Sequence, residues 1–221
     1  MPDLSTHWDQ LHGSERFRPR YPNDHVVRFL MANRTVLDSG IGNRFLDIGA
    51  GAGRHMRLAS ETGFEPYGVD TSLVGLRHTN QLIRDLRLSS RAVQASMLAL
   101  PFADQSFAVV LSFGVFCYGT VDEMQRAIGE AQRVLAANGR MFAVLRSTDD
   151  YRFGRGERLA ENTFRLNITE TNECNTVQHF LCANDIPEYF KSFSQVGFEK
   201  TETSTANRTR VDSDWLITAK K

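Results

Sequence analysis

Apolar positions recur along this chain with two alternating periods. Over residues 26–37 they fall at helical spacing (Val26, Val27, Leu30, Met31), with Asn23 or Asp24 as a cap and Ser39-Gly40 as the break. Residues 44–48 (RFLDI) are a short apolar run that ends in a glycine cluster, and residues 55–62 then read as a helix closed by Gly63. The alternation continues with a strand at 66–69, a helix at 73–86, a strand at 92–95 and a strongly apolar strand at 107–112. An amphipathic helix follows at 122–135, ended by Asn138-Gly139, and residues 140–146 (RMFAVLR) make the next buried strand. Strands and helices taking turns in this way predict an α/β protein with a mostly parallel sheet.

Residues 147–176 interrupt the pattern: they are rich in Asp, Glu, Asn, Thr and Arg and carry little periodicity. Beyond them residues 186–193 read as a helix, 198–203 as a strand and 214–220 (DWLITAK) as a last strand. The short polar connection between the last two strands predicts antiparallel pairing. No internal repeat or linker divides the chain, so residues 1–221 are read as a single domain.

Charge changes the picture by exclusion. Lysine plus arginine equals aspartate plus glutamate at 26 each, so no global field draws the protein to nucleic acid or to an anionic membrane. The N-terminal stretch MPDLSTHWDQLHGSERFRPRYP scatters charge where a secretory signal needs an apolar run, and no later run is long enough to span a bilayer, which predicts a cytoplasmic protein. Three cysteines without a C-x-x-C pair predict reduced thiols, with neither a disulfide framework nor a metal site.

The chemistry concentrates in residues 45–53 (FLDIGAGAG), where a buried strand delivers Asp47 and then Gly49, Gly51 and Gly53 at the mouth of a helix. Only glycine lets a ligand lie directly against such a backbone. A dinucleotide fingerprint would need a glycine three residues after Gly51; Arg54 stands there, and Asp47 already supplies an acid, a pattern that suits a ligand with a cationic end. The second strand ends in Tyr67-Gly68-Val69-Asp70, a carboxylate at the strand's carboxyl edge, where ribose hydroxyls are held in such folds.

LDIGAGAG, then YGVD, ALPFADQSFAVVLS and RVLAANGRMFAVL, in that order from Arg44 to Leu145, resemble the class I S-adenosylmethionine-dependent methyltransferases of small-molecule type. The resemblance implies a Rossmann-like, doubly wound, seven-stranded and mostly parallel sheet with an antiparallel last strand. It implies S-adenosylmethionine as cofactor, with Asp47, Gly49, Gly51 and Gly53 around its methionine part and Asp70 on the ribose. Thr71 and Ser72 would flank the adenine, and Ser96 and Met97 would lie at the cofactor too, Ser96 replacing the aspartate usual before the L-P-F element. Ser112 and Phe113 would lie beneath the methyl group. It further implies a lid over residues 1–25, with Arg18 and Tyr21 as its cofactor-facing residues, and an acceptor-side insertion over residues 147–185.

Two catalytic candidates follow. His179 has the titration range of a general base, though a lone histidine is as often a packed residue; Tyr118, beside Cys117, either lines the acceptor site or packs under it. Arg152, Arg155 and Arg158 hint at an anionic or polar acceptor unless they are solvated charges, and His55 is read as solvent-facing. The expected function is O- or N-methylation of a small molecule or metabolite without a metal. Segment 112–115 lacks the N-P-P-Y or D-P-P-Y element of base-methylating relatives, which argues against a nucleic-acid acceptor. A non-catalytic cofactor- or partner-binding module, or an aminopropyl-type transferase on the same scaffold, is the alternative. Monomer and homodimer are both open.

Overall fold

The computed structural model describes residues 4–88 and 90–221; residues 1–3 of the expected lid segment lie outside the described residues. Helix α1 (Leu4–His12) was not foreseen. Helix α2 (Asp24–Ala32) starts where expected, its N-cap Asn23 accepting the His25 amide at 2.9 Å, but a 3₁₀ turn over Arg34–Asp38 replaces its second half. Then come β1 (Arg44–Ile48), α3 (Arg54–Glu61), β2 (Glu65–Asp70), α4 (Leu73–Asp85), β3 (Arg91–Gln94) and β4 (Phe107–Phe113). Helix α5 (Val121–Val134) runs directly into β5 (Leu135–Arg146).

The expected helix stop at Asn138-Gly139 is thus a kink inside β5. Asn138 sits in the left-handed region at φ 64, and both residues pair with the C-terminal residue: the Asn138 amide bonds the Lys221 carbonyl at 3.1 Å and the Lys221 amide bonds Gly139 O at 3.3 Å. A Cβ on Gly139 would lie 2.8 Å from the Ala136 carbonyl, so the kink itself selects glycine there.

The remaining elements are β6 (Gly156–Ala160), β7 (Thr163–Leu166), β8 (Val177–His179), α6 (Asp185–Tyr189), β9 (Gln195–Thr205) and β10 (Arg210–Lys220). The seven-stranded sheet has the order β3-β2-β1-β4-β5-β10-β9; β1–β2 and β2–β3 pair parallel and β9–β10 antiparallel, as expected for the doubly wound class. Its central strands are nearly continuous hydrophobic runs, with Phe45, Leu46, Val109, Val110 and Leu111 fully buried, because helices cover both faces of a parallel sheet.

Strands β6 and β7, inside the polar stretch that carried no periodic signal, and β8 just beyond it form a second, antiparallel sheet. Phe164, Leu166, Ile168 and Phe180 give it its own core. Every residue of β6 is exposed, so that edge strand has no buried face to write an alternation into the sequence.

The chain divides into two compact units. The first runs through Leu111 and takes back Glu130–Met141 and Lys221; the second comprises Ser112–Gly129 and Phe142–Lys220. Among the described residues, no helix is long and apolar enough to cross a membrane.

Candidate active site

In the first unit β1 delivers Asp47 into a turn built on left-handed backbone, with Gly49 at φ 78, Gly51 at φ 52 and Gly53 at φ 85. Those angles exclude a side chain at low cost. The amides of Gly49 and Ala50 both donate to Val69 O, at 2.8 and 3.0 Å, and Thr79 Oγ1 donates to Gly51 O at 2.7 Å, so β2 and α4 hold the turn from either side.

Asp70, at the end of β2, fixes the same turn from its carboxylate. Oδ2 accepts the Gly51 amide and Oδ1 the Ser72 amide, both at 2.8 Å. Each oxygen keeps further acceptor capacity, which is what a pair of ribose hydroxyls requires. Thr71 follows directly, and the Ala95 amide bonds Asp70 O at 3.1 Å, bringing the exposed Ser96 and half-buried Met97 alongside. Ser96 Oγ accepts the Leu98 amide at 3.2 Å, closing its own small turn.

Asp47 is buried, and its Oδ2 has no hydrogen-bond partner among the described residues. Burial pushes its carboxyl up to about 8; the Arg54 guanidinium opposes that shift and Asp70 adds to it. His55, expected to face solvent, is buried instead, with Nδ1 3.9 Å from Asp47 Oδ2. Burial pushes the imidazole down to about 3, helped by Arg54, so it stays neutral and cannot pair with the acid as a cation.

Residues missed in the sequence lie on α1. Asp9 Oδ1 accepts the Ser72 hydroxyl at 2.7 Å and the Val74 amide at 3.0 Å, capping α4 from outside. His12 Nδ1 lies 3.0 Å from Ser72 Oγ. The hydroxyl has a single proton, given to Asp9, which makes His12 Nδ1 the donor. The His12 ring rests on Gly51 and Gly75; a Cβ on Gly75 would come within 2.6 Å of Nδ1. The signal available was Trp8, Asp9 and His12 at one-turn spacing on one face.

Of the two expected lid residues, Arg18 braces this arrangement, donating to His12 O at 3.1 Å and hydrogen-bonding His78 Nε2. Tyr21 is 76% exposed, and it is its carbonyl that accepts Arg54 Nη1 at 3.5 Å.

In the second unit Ser112 is buried, its Oγ without a hydrogen-bond partner among the described residues, and Phe113 is half-buried. Tyr118 and Gln178 face each other across an antiparallel bridge, so their side chains share a face, and His179, the next residue on β8, projects from the other. The two catalytic candidates are therefore not brought together. Tyr118 Oη donates to Glu173 Oε1 at 3.0 Å, and burial, reinforced by Glu173, pushes the phenol upward, so it remains a donor at neutral pH. His179 is buried, with Nδ1 2.8 Å from Thr163 Oγ1 and Nε2 without a hydrogen-bond partner among the described residues; burial lowers its pKa against the pull of Asp185. Burial pushes the neighbouring Cys117 thiol up to about 12, which removes it as a nucleophile.

The arginines of the insertion are spoken for. Arg152 meets Asp150 at 2.8 Å, Glu173 at 2.8 Å and Asp212 at 2.7 Å; Arg155 meets Glu170 at 3.1 Å, and Arg158 Nε bonds Ala160 O at 3.3 Å. Glu173, which also binds Arg146, organises this cluster and had no signal in its polar surroundings. With acids already on Arg152 and Arg155, the hint of an anionic acceptor loses its basis.

Residues 46–143 match the family described as methyltransferase domain. This segment is a methyltransferase domain. It is similar to demethylmenaquinone methyltransferase of Tropheryma whipplei, 35% identical over 101 residues that cover 45% of this chain and 40% of that protein. The chain thus matches less than half the length of that curated relative. The structure resembles a SAM-dependent methyltransferase of Methanosarcina mazei (TM-score 0.69, 20% identity, 81% of this chain and 92% of that one). It also resembles 1,6-didemethyltoxoflavin-N1-methyltransferase of Burkholderia thailandensis, solved with 1,6-didemethyltoxoflavin and S-adenosylhomocysteine (TM-score 0.66, 16% identity, 99% and 88%). At those identities the two structures establish the fold around the methyltransferase domain.

Proposed function

We propose that the chain is an S-adenosylmethionine-dependent methyltransferase acting on an oxygen or nitrogen of a small molecule. One observation carries the reading: in a methyltransferase domain, a left-handed glycine turn lies between an unpartnered buried acid, Asp47, and a ribose-competent carboxylate, Asp70. The polar groups fit the cofactor. Asp47 lacks the donor that an ammonium would supply, and the turn has no Cβ to keep a ligand off its backbone.

When bound, the cofactor supplies a methyl group on a cationic sulfur. Asp47 and the backbone of Gly49, Gly51 and Gly53 hold its amino-acid end, Asp70 the ribose, and Thr71, Ser96 and Met97 the adenine. Ser112 and Phe113 serve the methyl side, and α1 with Arg18 covers the turn, Tyr21 contributing through its carbonyl. His179, neutral because it is buried, takes a proton through Nε2 when the acceptor is a hydroxyl. Tyr118, on the other face and with its single proton given to Glu173, supports the acceptor side through that carboxylate and does not itself donate to the acceptor. Alignment supplies most of the rate enhancement, so a strong base is not required. The small-molecule acceptor is supported by relatives named for demethylmenaquinone and 1,6-didemethyltoxoflavin, and a cytoplasmic setting by three free thiols.

Calorimetric titration with S-adenosylmethionine and S-adenosylhomocysteine, with NAD and ATP as controls, tests the reading. Selective binding of the first two is expected. Binding of none by the folded, ligand-stripped protein would overturn it in favour of a partner-binding module, and binding without turnover across broad acceptor sets would favour a non-catalytic one.

A further inference from the structure

Strand β7 starts at a turn built around one hydroxyl. Asn162, left-handed at φ 52, closes the connection from β6, and Thr163 follows it, buried. Thr163 Oγ1 lies 3.1 Å from Glu161 O on one side and 2.8 Å from His179 Nδ1 on the other. Thr163 and His179 are also direct partners across the antiparallel β7–β8 pair, so the ladder itself sets the hydroxyl against the ring. The stiff χ1 of a β-branched side chain keeps it there.

The hydroxyl has one proton and two neighbours able to take it. Given to His179 Nδ1, that proton makes one hydrogen bond, leaves Glu161 O without its donor and puts the ring proton on Nε2. Given to Glu161 O, it frees an Oγ1 lone pair for Nδ1–H, so the same three groups make two bonds in a chain, each polarising the next. The second arrangement leaves the lone pair on Nε2, which is buried and has no hydrogen-bond partner among the described residues.

We infer that Thr163 is the positioning residue of this base: its hydroxyl, anchored on Glu161 O, fixes the tautomer of His179 that keeps Nε2 ready to receive the acceptor's proton. This rests on the methyltransferase reading above and on the role given there to His179.

The rest of the surroundings leave that task to Thr163. Asp185, the acid that acts on the ring, has Oδ2 on the Cys182 amide at 2.8 Å, and Tyr189 meets the imidazole ring to ring, with centroids 6.0 Å apart. The His179 amide is held by Cys117 O at 2.9 Å, so the backbone under the ring is fixed as well. In the transfer the acceptor oxygen bonds the methyl carbon as the carbon–sulfur bond breaks, its electron pair staying on sulfur, and the acceptor's proton moves to Nε2 and from there to water. Nδ1–H keeps its bond to Oγ1 throughout, so nothing in the chain has to turn. Because the chain ends on a carbonyl, it orients the ring without placing an anion beside it.

The test reads the ring directly, on the full chain carrying isotope-labelled histidine. Proton–nitrogen correlation spectra near neutral pH separate a protonated from an unprotonated ring nitrogen by chemical shift, and the set of signals lost in His179→Gln identifies this ring among the six histidines. Expected in the wild type are a protonated Nδ1 and an unprotonated Nε2. Thr163→Val keeps the shape but removes the hydroxyl and should move the proton toward Nε2, whereas Thr163→Ser should keep the wild-type pattern. A wild type with its ring proton on Nε2 overturns the inference even where Thr163→Val fails to fold, and so does a folded Thr163→Val whose ring signals match the wild type's. Calorimetry should show unchanged S-adenosylhomocysteine affinity in Thr163→Val, since the hydroxyl serves the ring. A wild type that binds no S-adenosylhomocysteine would instead overturn the methyltransferase reading beneath, an outcome on which the ring spectra do not depend.

Discussion

Replacing Asp47 by Asn should make the ligand-free protein more stable and the cofactor bind worse. Burial pushes the carboxyl up to about 8 from its ordinary 3.8. Between those values the native state holds a proton that the unfolded chain has lost, so stability falls as pH rises from about 4 to about 8. At 1.36 kcal/mol for each pH unit, the roughly three units between 3.8 and 7 amount to about 4 kcal/mol lost from the wild type by neutral pH. Asn has the same shape, no charge to desolvate and no titration, so it escapes that loss. For a chain of this size about 4 kcal/mol corresponds to roughly 8 to 16 °C in melting temperature. Binding should move the other way: without its anion the site loses a charge-assisted contact to the ammonium, about 1.5–3 kcal/mol, or about 10- to 150-fold in affinity. Thermal melts of both proteins from pH 5 to pH 8, with and without S-adenosylhomocysteine, check both halves. Parallel wild-type and Asn melting curves at every pH would refute the burial argument, and equal stabilisation by ligand would refute the assignment of the ammonium to Asp47.

Asp70→Ala should cost about 1.5–3 kcal/mol of S-adenosylhomocysteine affinity by calorimetry, with methylthioadenosine weakened alongside because both carry the ribose. Asp9→Ala removes the cap on α4 and should lower stability by about 1 kcal/mol, read as earlier proteolysis of the N-terminal segment and a melt lower by about 2–4 °C. Glu173→Gln leaves Arg146 and Arg152 with one carboxylate fewer in a buried cluster and should destabilise by about 3 kcal/mol in urea titration, whereas a near-neutral result would mean that Asp150 and Asp212 suffice. If His179 removes the acceptor's proton, His179→Ala should lower kcat by about 10²-fold or more without changing S-adenosylhomocysteine affinity; a loss confined to binding would assign it to packing against Thr163.

The buried cluster around Glu173 also bears on what the second unit can bind. Arg146 and Arg152 face Asp150, Glu173 and Asp212, and burial raises the pKa of the adjacent Asp214. The ionised acids match or outnumber the two arginines, so an added anion would meet repulsion there, whereas a neutral acceptor would not.

Strand β1, the glycine turn and Asp70 were legible in the sequence because each is governed by local rules. A buried strand needs a run of apolar residues, a left-handed turn needs glycine, and the end of a strand places its last side chain at the edge of the sheet. The mostly parallel character of the sheet followed from the same periodicities and its antiparallel end from the short last connection, whereas the strand order is read from the structure. The three-stranded sheet did not, because an edge strand exposed at every position, such as β6, carries no alternation. Nor did the start of β5 at Leu135, expected at Arg140, since Asn138 and Gly139 answer to Lys221 at the far end of the chain. Asp9 with Ser72, His12 with Gly75, and Tyr118 with Glu173 are contacts between residues more than 50 positions apart, and no one of those residues is unusual on its own. Burial was likewise decided in three dimensions: His55 looks like a surface histidine in its helix and Asp47 like an ordinary acid in its strand. Only the fold, by removing water from both, keeps the imidazole unprotonated and the carboxyl protonated until a cation reaches the acid.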